Sequence, residues 1–502
     1  MRFTPARTRS TLILCVASPS APALSQPFVD HTALMPGLVN AAAAWGDVNA
    51  DGWPDLFCSG TIFVNQKGQA FKPVSVLGAG SGLIVDLDND GRGDIVSYAP
   101  LAVFRNAADG PDGLPIFEAV ALPTNPPPPP TVCLAASVAD LNNDGFPDVF
   151  IAGYEDWEKQ ITHPSFVLFS DRGRALTVVM VTAQRRSRGI TACDFDDSGT
   201  QDVYVSNYRL QPNQLWIGDG KGNLIDEAAR RGVLASSPGF DGGHSIGACW
   251  GDFDNDGHFD LFAGNFAHVD DRGDQPKSRF LRNRGPHADA AMAWTFDDLH
   301  ECGVWYQESY ASPAAADYDN DGSLDLFFTT VYAVASFGKK NYPVLYRNEI
   351  AGPTWAFKDS TEGSGLEKLA PTYQAAWADF DRDGRIDLVT AGKLFRNSPT
   401  PTPHADTPAR HWLELQLKAR DNRTIVGAQA RITLPSGSVL TRQVECGTGQ
   451  GNANSPILHF GLGTAAPPPG TTGPLKVDIR WPGGARSSHA VPVDGVATIE
   501  EP

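Results

Sequence analysis

Positive charge is what this chain has least of: 40 Lys and Arg stand against 58 Asp and Glu, a formal charge of −18. Nucleic-acid binding rests on Lys and Arg at the phosphates, so that class of partner is excluded. Long apolar runs are also missing. None approaches the roughly 20 residues that span a bilayer, so a soluble chain without a membrane span is expected. Cysteine is sparse, with six after residue 25 (Cys58, Cys133, Cys193, Cys249, Cys302 and Cys446) scattered along the chain. No C-x-x-C or Cys/His pair suggests zinc, and buried free thiols are a better reading than disulfides. P-loop, dinucleotide and HExxH motifs are absent.

Acidic loops with one spacing are what the chain has in quantity. In Ala248–Ala263, ACWGDFDNDGHFDLFA, carboxylates occupy the first, third, fifth and ninth places and Gly257 the sixth, between two apolar runs. Alternate carboxylates in a tight turn converge on one centre, and glycine permits the positive φ the turn needs. A hard divalent ion, calcium before magnesium, fits such an all-oxygen cage; an EF-hand would instead close with Glu at the twelfth place between helices.

The pattern occurs seven times. The ligand places are Asp47, Asn49, Asp51 and Asp55; Asp86, Asp88, Asp90 and Asp94; Asp140, Asn142, Asp144 and Asp148; Asp194, Asp196, Ser198 and Asp202; Asp252, Asp254, Asp256 and Asp260; Asp317, Asp319, Asp321 and Asp325; and Asp379, Asp381, Asp383 and Asp387. Successive loops start 39 to 65 residues apart, room for about four short strands per repeat. Radial repetition of four-stranded sheets is a propeller. The expected fold is all-β: a seven-bladed β-propeller over 26–398 with up to seven calcium ions, a Pro-rich linker over 399–410, and a small β-sandwich-like domain over 411–502. Each repeat has a strand into the loop, a strand out of it, a third strand ending in a stretch such as FLRN or LYRN, and a fourth with Phe and Asp. The seventh repeat lacks its fourth strand, and Pro27–Ala33 is expected to supply it and close the ring. The NPPPPP run from Asn125 reads as a stiff surface loop.

Residues 1–25 pair Arg2, Arg7 and Arg9 with a short apolar core and small residues, the pattern of a secretory leader. An extracellular or periplasmic location is expected, where weak calcium sites stay filled.

The seven DxDxDGxxD loops resemble FG-GAP/VCBS-type repeats. DNRTIVGAQARIT from Asp421, ILHFGLG from Ile457 and VDIRWPGG from Val477 resemble an ASPIC/UnbV domain, and the combination is similar to the cartilage acidic protein family. The resemblance implies a secreted calcium-binding propeller with a β-rich C-terminal domain. Asn49, Asn142 and Ser198 depart from the repeat pattern and imply weaker metal sites.

Chemistry is less legible. Gly243–Gly247 spells G-x-S-x-G but feeds a strand rather than a strand-to-helix turn. Arg272-Gly273-Asp274 is an adhesion tripeptide by letter, in a polar loop. Most conspicuous carboxylates are committed to ions, so an enzyme is the minority reading. The expected function is binding, adhesion or scaffolding for an extracellular protein or glycan; the alternative is a carbohydrate-active enzyme (a polysaccharide lyase or hydrolase) or a lectin. Either would use the face opposite the calcium loops, where Trp157, Phe266, Trp305, Tyr306 and Tyr342 are the candidate ligand residues among the aromatics of loops that also carry Tyr154, Tyr208, His268, Asp271 and Tyr310.

Overall fold

The computed structural model describes residues 26–110, 112–124, 132–172, 175–181, 184–270, 273–351, 354–398, 410–464 and 474–502. The leader, the whole NPPPPP run, Asp271, Arg272 and the linker up to residue 409 lie outside the described residues.

Small residues set the architecture. Seven strands, Ala43–Gly46, Ser81–Val85, Cys133–Ala139, Ser187–Cys193, Ser245–Gly251, Tyr310–Ala316 and Ala375–Ala378, are rich in Ala, Gly and Ser. Strands that converge on an axis have little room for side chains, and these seven pack each against the next until the last returns to the first. Each is the innermost strand of a four-stranded antiparallel sheet. Larger apolar side chains fill the spaces between sheets, as where Phe253, Phe280, Phe328, Tyr346 and Phe357 pack blade five on blade six.

The last sheet closes with chain from the other end. Phe28–Asp30 pairs antiparallel with Lys393–Asn397, Val29 opposite Arg396. Phe28 is buried against Tyr318 and Trp377, so the N-terminal strand is held by packing as well as by its ladder.

From His411 the chain forms two further sheets. One has Leu458–Gly463, His411–Lys418 and Gly495–Glu500 in that order, the last pair parallel; the other has Val439–Gln443, Gln429–Thr433, Leu475–Arg480 and Arg486–Val491. Leu413, Leu415, Ile432, Leu440, Phe460 and Trp481 lie between them in one core. Among the described residues no helix is long and apolar enough to cross a membrane.

The sequence sets this C-terminal unit apart behind a Pro-rich linker, and the structure places it on the propeller's axis. The segment Glu445–Ser455, ECGTGQGNANS, runs down the channel and touches the inner strands of the ring. Val138 donates to the Cys446 carbonyl, Gly449 to that of Ala248, and Trp45 to that of Ala453, at 2.8–3.0 Å; Gln450 donates its backbone N–H to Ser312 Oγ at 3.1 Å. The Asn452 and Asn454 side chains accept from the backbone of Ala43 and Trp377. Glycine is required by close approach: a Cβ on Gly247 would lie 2.7 Å from the Gly449 carbonyl carbon, and one on Gly451 would overlap the Tyr98 hydroxyl. The channel is therefore filled by the protein's own chain.

Candidate metal centres and the two faces of the propeller

All seven acidic loops join an inner strand to the second strand of its sheet, so they ring one face. Their backbones coincide. The fourth residue of each (Ala50, Asn89, Asn143, Asp197, Asn255, Asn320 and Arg382) has φ between 55° and 58°, and the sixth, always Gly, between 83° and 96°. Asn tolerates the left-handed region better than most residues, which accounts for its recurrence at the fourth place.

Hydrogen bonds preform each loop. In loop six Asp317 accepts the N–H of Asp321 at 3.0 Å and of Gly322 at 2.8 Å. The ninth-place Asp325 accepts from Tyr318 at 3.2 Å and from Asn348 at 2.8 Å. It is fully buried, and burial pushes its carboxyl well above the usual range. Burial likewise pushes Asp86 and Asp94 up to about 7 and Asp47 and Asp140 to about 6. Such carboxylates are expensive to keep charged without a cation.

The donor set fits one. Carboxylate oxygens converge within 4.8 Å in five groups: Asp86, Asp88 and Asp90; Asp194, Asp196 and Asp202; Asp252, Asp254 and Asp260; Asp317, Asp319 and Asp325; and Asp379, Asp381 and Asp387. The third-place carboxylates of three of these loops, Asp88, Asp254 and Asp381, each keep one buried oxygen without a hydrogen-bond partner, whereas in loop six Arg410 lies 2.7 Å from the corresponding oxygen of Asp319. The unpartnered oxygens are the atoms a metal would take, and an all-oxygen set suits a hard cation. In loops one and three the third residue is Asn, and its amide donates to the fifth-place Asp51 or Asp144 at 3.2 and 3.1 Å. In loop four Ser198 occupies the fifth place, and Arg480 of the C-terminal unit lies 2.7 Å from Asp194, so a guanidinium already compensates part of that charge.

The recurrent Arg-Asn ending of the third strands has a structural role that the sequence alone did not disclose. Arg105, Arg282, Arg347 and Arg396 reach the third- and fifth-place carboxylates of their own loops. The following Asn ties two blades. Asn283 donates to Phe195 and Phe259 carbonyls, each at 3.1 Å, and Asn397 to those of Tyr318 and Ile386. Fourth-place side chains add a second set of bridges to the sixth-place carbonyl of the next loop: Asn89 to Gly145, Asn255 to Gly322 and Asn320 to Gly384, at 2.8–3.1 Å. Asp197 cannot donate, and there Arg431 of the C-terminal unit binds both Asp197 and the Gly257 carbonyl.

The C-terminal unit covers this face. Thr424, Val439 and Gly463 donate backbone N–H groups to the carbonyls of Gly145, Asn255 and Asn320 at 3.0–3.1 Å. Buried His459 contacts Asn320 at 2.7 Å, and burial holds its pKa down to about 3.

The opposite face carries the aromatic loops. Trp157 is 49% exposed with Arg209 stacked 3.7 Å from its ring centroid. Trp305 and Tyr342, each 37% exposed, lean together at 5.6 Å. Tyr306 is half-buried and donates to the Ala267 carbonyl at 2.6 Å. Phe266 is different: it is 2% exposed, packed under Tyr208, His268 and Tyr332, and supports the face rather than forming it. Tyr154 and Tyr310 are buried as well, Tyr310 stacked on Phe328. Tyr332, 55% exposed, is the better surface ring. In the G-x-S-x-G stretch Ser245 is fully buried and donates to Asn265 at 2.6 Å, a structural bond between strands rather than a nucleophile's setting.

The chain matches the FG-GAP-like repeat model over residues 86–151 and 194–263 and the ASPIC and UnbV model over 418–502. It is 24% identical over 327 residues to cartilage acidic protein 1 of Mus musculus, covering 64% of this chain and 46% of that one. The Homo sapiens protein of the same name is 24% identical over 310 residues, 61% and 42% covered. The chain thus spans about half the length of the relatives it matches. A solved BBS1N chain in complex with ARL6DN aligns at a TM-score of 0.39 and 10% identity, covering 75% of this chain and 99% of that one. The chain therefore contains segments that match FG-GAP-like repeats and a C-terminal segment that matches ASPIC and UnbV, and it resembles cartilage acidic protein 1.

Proposed function

We propose that this is a secreted, calcium-stabilised propeller that binds an extracellular protein or glycan on the face away from its acidic loops. One observation carries the reading: the C-terminal unit lies on the acidic face and fills the channel, which leaves the opposite face, with Trp157, Trp305, Tyr332 and Tyr342 exposed, as the open one. Calcium has a structural role in this account, neutralising buried carboxylates and fixing the loops that support the blades. The relatives' name fits an extracellular setting, and the leader-like residues 1–25 agree with it. Replacing Trp157, Trp305 and Tyr342 together with Ala tests the assignment: ligand capture is lost while the calcium dependence of melting stays. Unchanged capture by that variant moves the site to the C-terminal unit.

A second reading, a carbohydrate-active enzyme, is favoured by a specific arrangement on the same face. The Tyr208 hydroxyl lies 3.5 Å from His268 Nε2, whose Nδ1 is 3.1 Å from buried Glu308. A carboxylate that orients a histidine toward a hydroxyl is the usual form of a general-base pair. Release of reducing ends or of an unsaturated product from a polysaccharide, abolished by His268→Ala, supports this reading; its absence across a polysaccharide panel leaves the binding protein.

A further inference from the structure

Arg188 occupies an unusual place. It stands at the mouth of the channel on the open face, one residue before Gly189, which abuts the plug at Gly449. Its guanidinium lies 5.0, 5.1 and 5.8 Å from the ring centroids of Tyr154, Tyr208 and Tyr373. It donates to the hydroxyls of Tyr154 at 3.2 Å and Tyr373 at 3.1 Å, the latter from a blade across the ring. Its Nε is buried without a partner. Among the described residues no carboxylate pairs with it, although the chain holds 58 acids to 40 bases. Two neighbouring arginines, Arg186 and Arg209, share the single buried carboxylate of Glu155.

A cavity of about 240 Å³ opens beside this mouth. It is lined by Trp305, Tyr306, Glu308, Ser336, Lys339 and Lys340, among others, and both lysines are exposed. Glu308 joins cavity and mouth. Its carboxylate accepts from Ser336 at 2.7 and 2.8 Å on the cavity side and contacts His268 on the other.

We propose that the open face binds an acidic glycan: a uronate carboxylate on Arg188, with an adjoining sugar of the same chain over Trp305 and Tyr306 within reach of Lys339 and Lys340. This rests on the reading that the open face is the functional one. A guanidinium with unused N–H groups is matched to a carboxylate. The hydroxyls of half-buried Tyr208 and Tyr373 and the His268 ring offer donors and acceptors to sugar hydroxyls, and the Trp305 and Tyr306 rings offer flat surfaces to C–H faces. Cationic and aromatic groups repeat at two adjoining places, which suits a chain of repeating acidic units.

Calorimetric titration of the calcium-loaded protein with an oligogalacturonate tests this, beside the same oligomer with its carboxyls reduced and an oligoglutamate. Oligogalacturonate is expected to bind in a salt-sensitive way, its affinity falling about tenfold or more in Arg188→Gln, the loss of a charge-assisted bond pair. The double variant Lys339→Gln and Lys340→Gln, which touches only exposed side chains, is expected to weaken binding as well and guards against a folding defect at Arg188. Equal binding of the reduced oligomer overturns the carboxylate assignment while leaving glycan binding on this face standing. Binding of oligoglutamate alone, lost in Arg188→Gln, overturns the glycan in favour of an acidic peptide. No binding of any probe, or binding indifferent to all three substitutions, overturns the proposal, and the Trp157, Trp305 and Tyr342 triple variant then decides separately whether the open face captures other ligands.

Discussion

Asn348 donates its side-chain amide to the carbonyl of Phe253, 2.9 Å away, and so fastens the loop of blade five to the third strand of blade six. The same amide reaches Leu324 at 3.1 Å, and its backbone N–H binds Asp325 at 2.8 Å. One residue therefore connects a blade, its neighbour and a ninth-place carboxylate. Asn348→Ala leaves two buried carbonyls short of a donor, and unfolding in denaturant is expected to show a loss of about 2–3 kcal/mol. A variant within about 0.5 kcal/mol of the parent would mean that the latch is redundant.

The plug makes a second prediction. Gly451 has φ +74° and lies against Tyr98 and the Leu134 carbonyl. Gly451→Ala combines backbone strain with overpacking, and about 1–3 kcal/mol of destabilisation is expected. Because the segment touches the ring throughout the channel, the propeller and the C-terminal unit are expected to melt in one transition by calorimetry. Two separate transitions in the parent protein would contradict the plug's role.

The loops are not equal. Asp252→Ala removes a fully buried carboxylate from a loop with four, whereas Ser198→Ala alters a loop already compensated by Arg480 and Arg431. Calcium titration followed by melting is expected to show a clear loss for the first and a small one for the second. The reverse order would mean that loop four is a main metal site.

Acidity separates the metal-free from the metal-bound state. Burial raises Asp86 and Asp94 to about 7 and Asp148 to about 8 in the folded chain, against about 3.9 when unfolded. A group with a raised folded pKa stabilises fully below its unfolded value and loses that contribution as pH rises through the folded one. In EGTA the melting temperature is therefore expected to fall between about pH 5 and 8. With calcium the trend is expected to reverse, since the ion needs the deprotonated carboxylates. Parallel pH curves with and without calcium would refute the coupling.

Much of this was legible in the sequence because it is local. Carboxylate spacing within nine residues carries the loops, and the absent strand after Leu394 points to Phe28–Asp30 for closure. Asn-Asp-Gly runs also carry the left-handed fourth place, through Asn89, Asn143, Asn255 and Asn320. The plug was not legible. A Gly- and Asn-rich stretch has no hydrophobic period, and its partners lie hundreds of residues away, Ala43 with Asn452 for example. The burial of Phe266 is not legible for a related reason: a ring in a loop is exposed or buried according to neighbours such as Tyr332 that sequence order does not bring beside it. The cluster around Arg188 joins blades three, four and seven, so no window of sequence contains it.

Calcium occupancy of the acidic ring is the property on which the stability of the fold and the open face both turn. The direct measurement is the melting temperature of the purified protein across free calcium, with metal content determined on the same sample. Calcium is expected to copurify and the melting temperature to climb with its concentration, by linkage to the folded state; a melting curve that EGTA leaves unmoved, in a sample that carries no metal, would contradict the account.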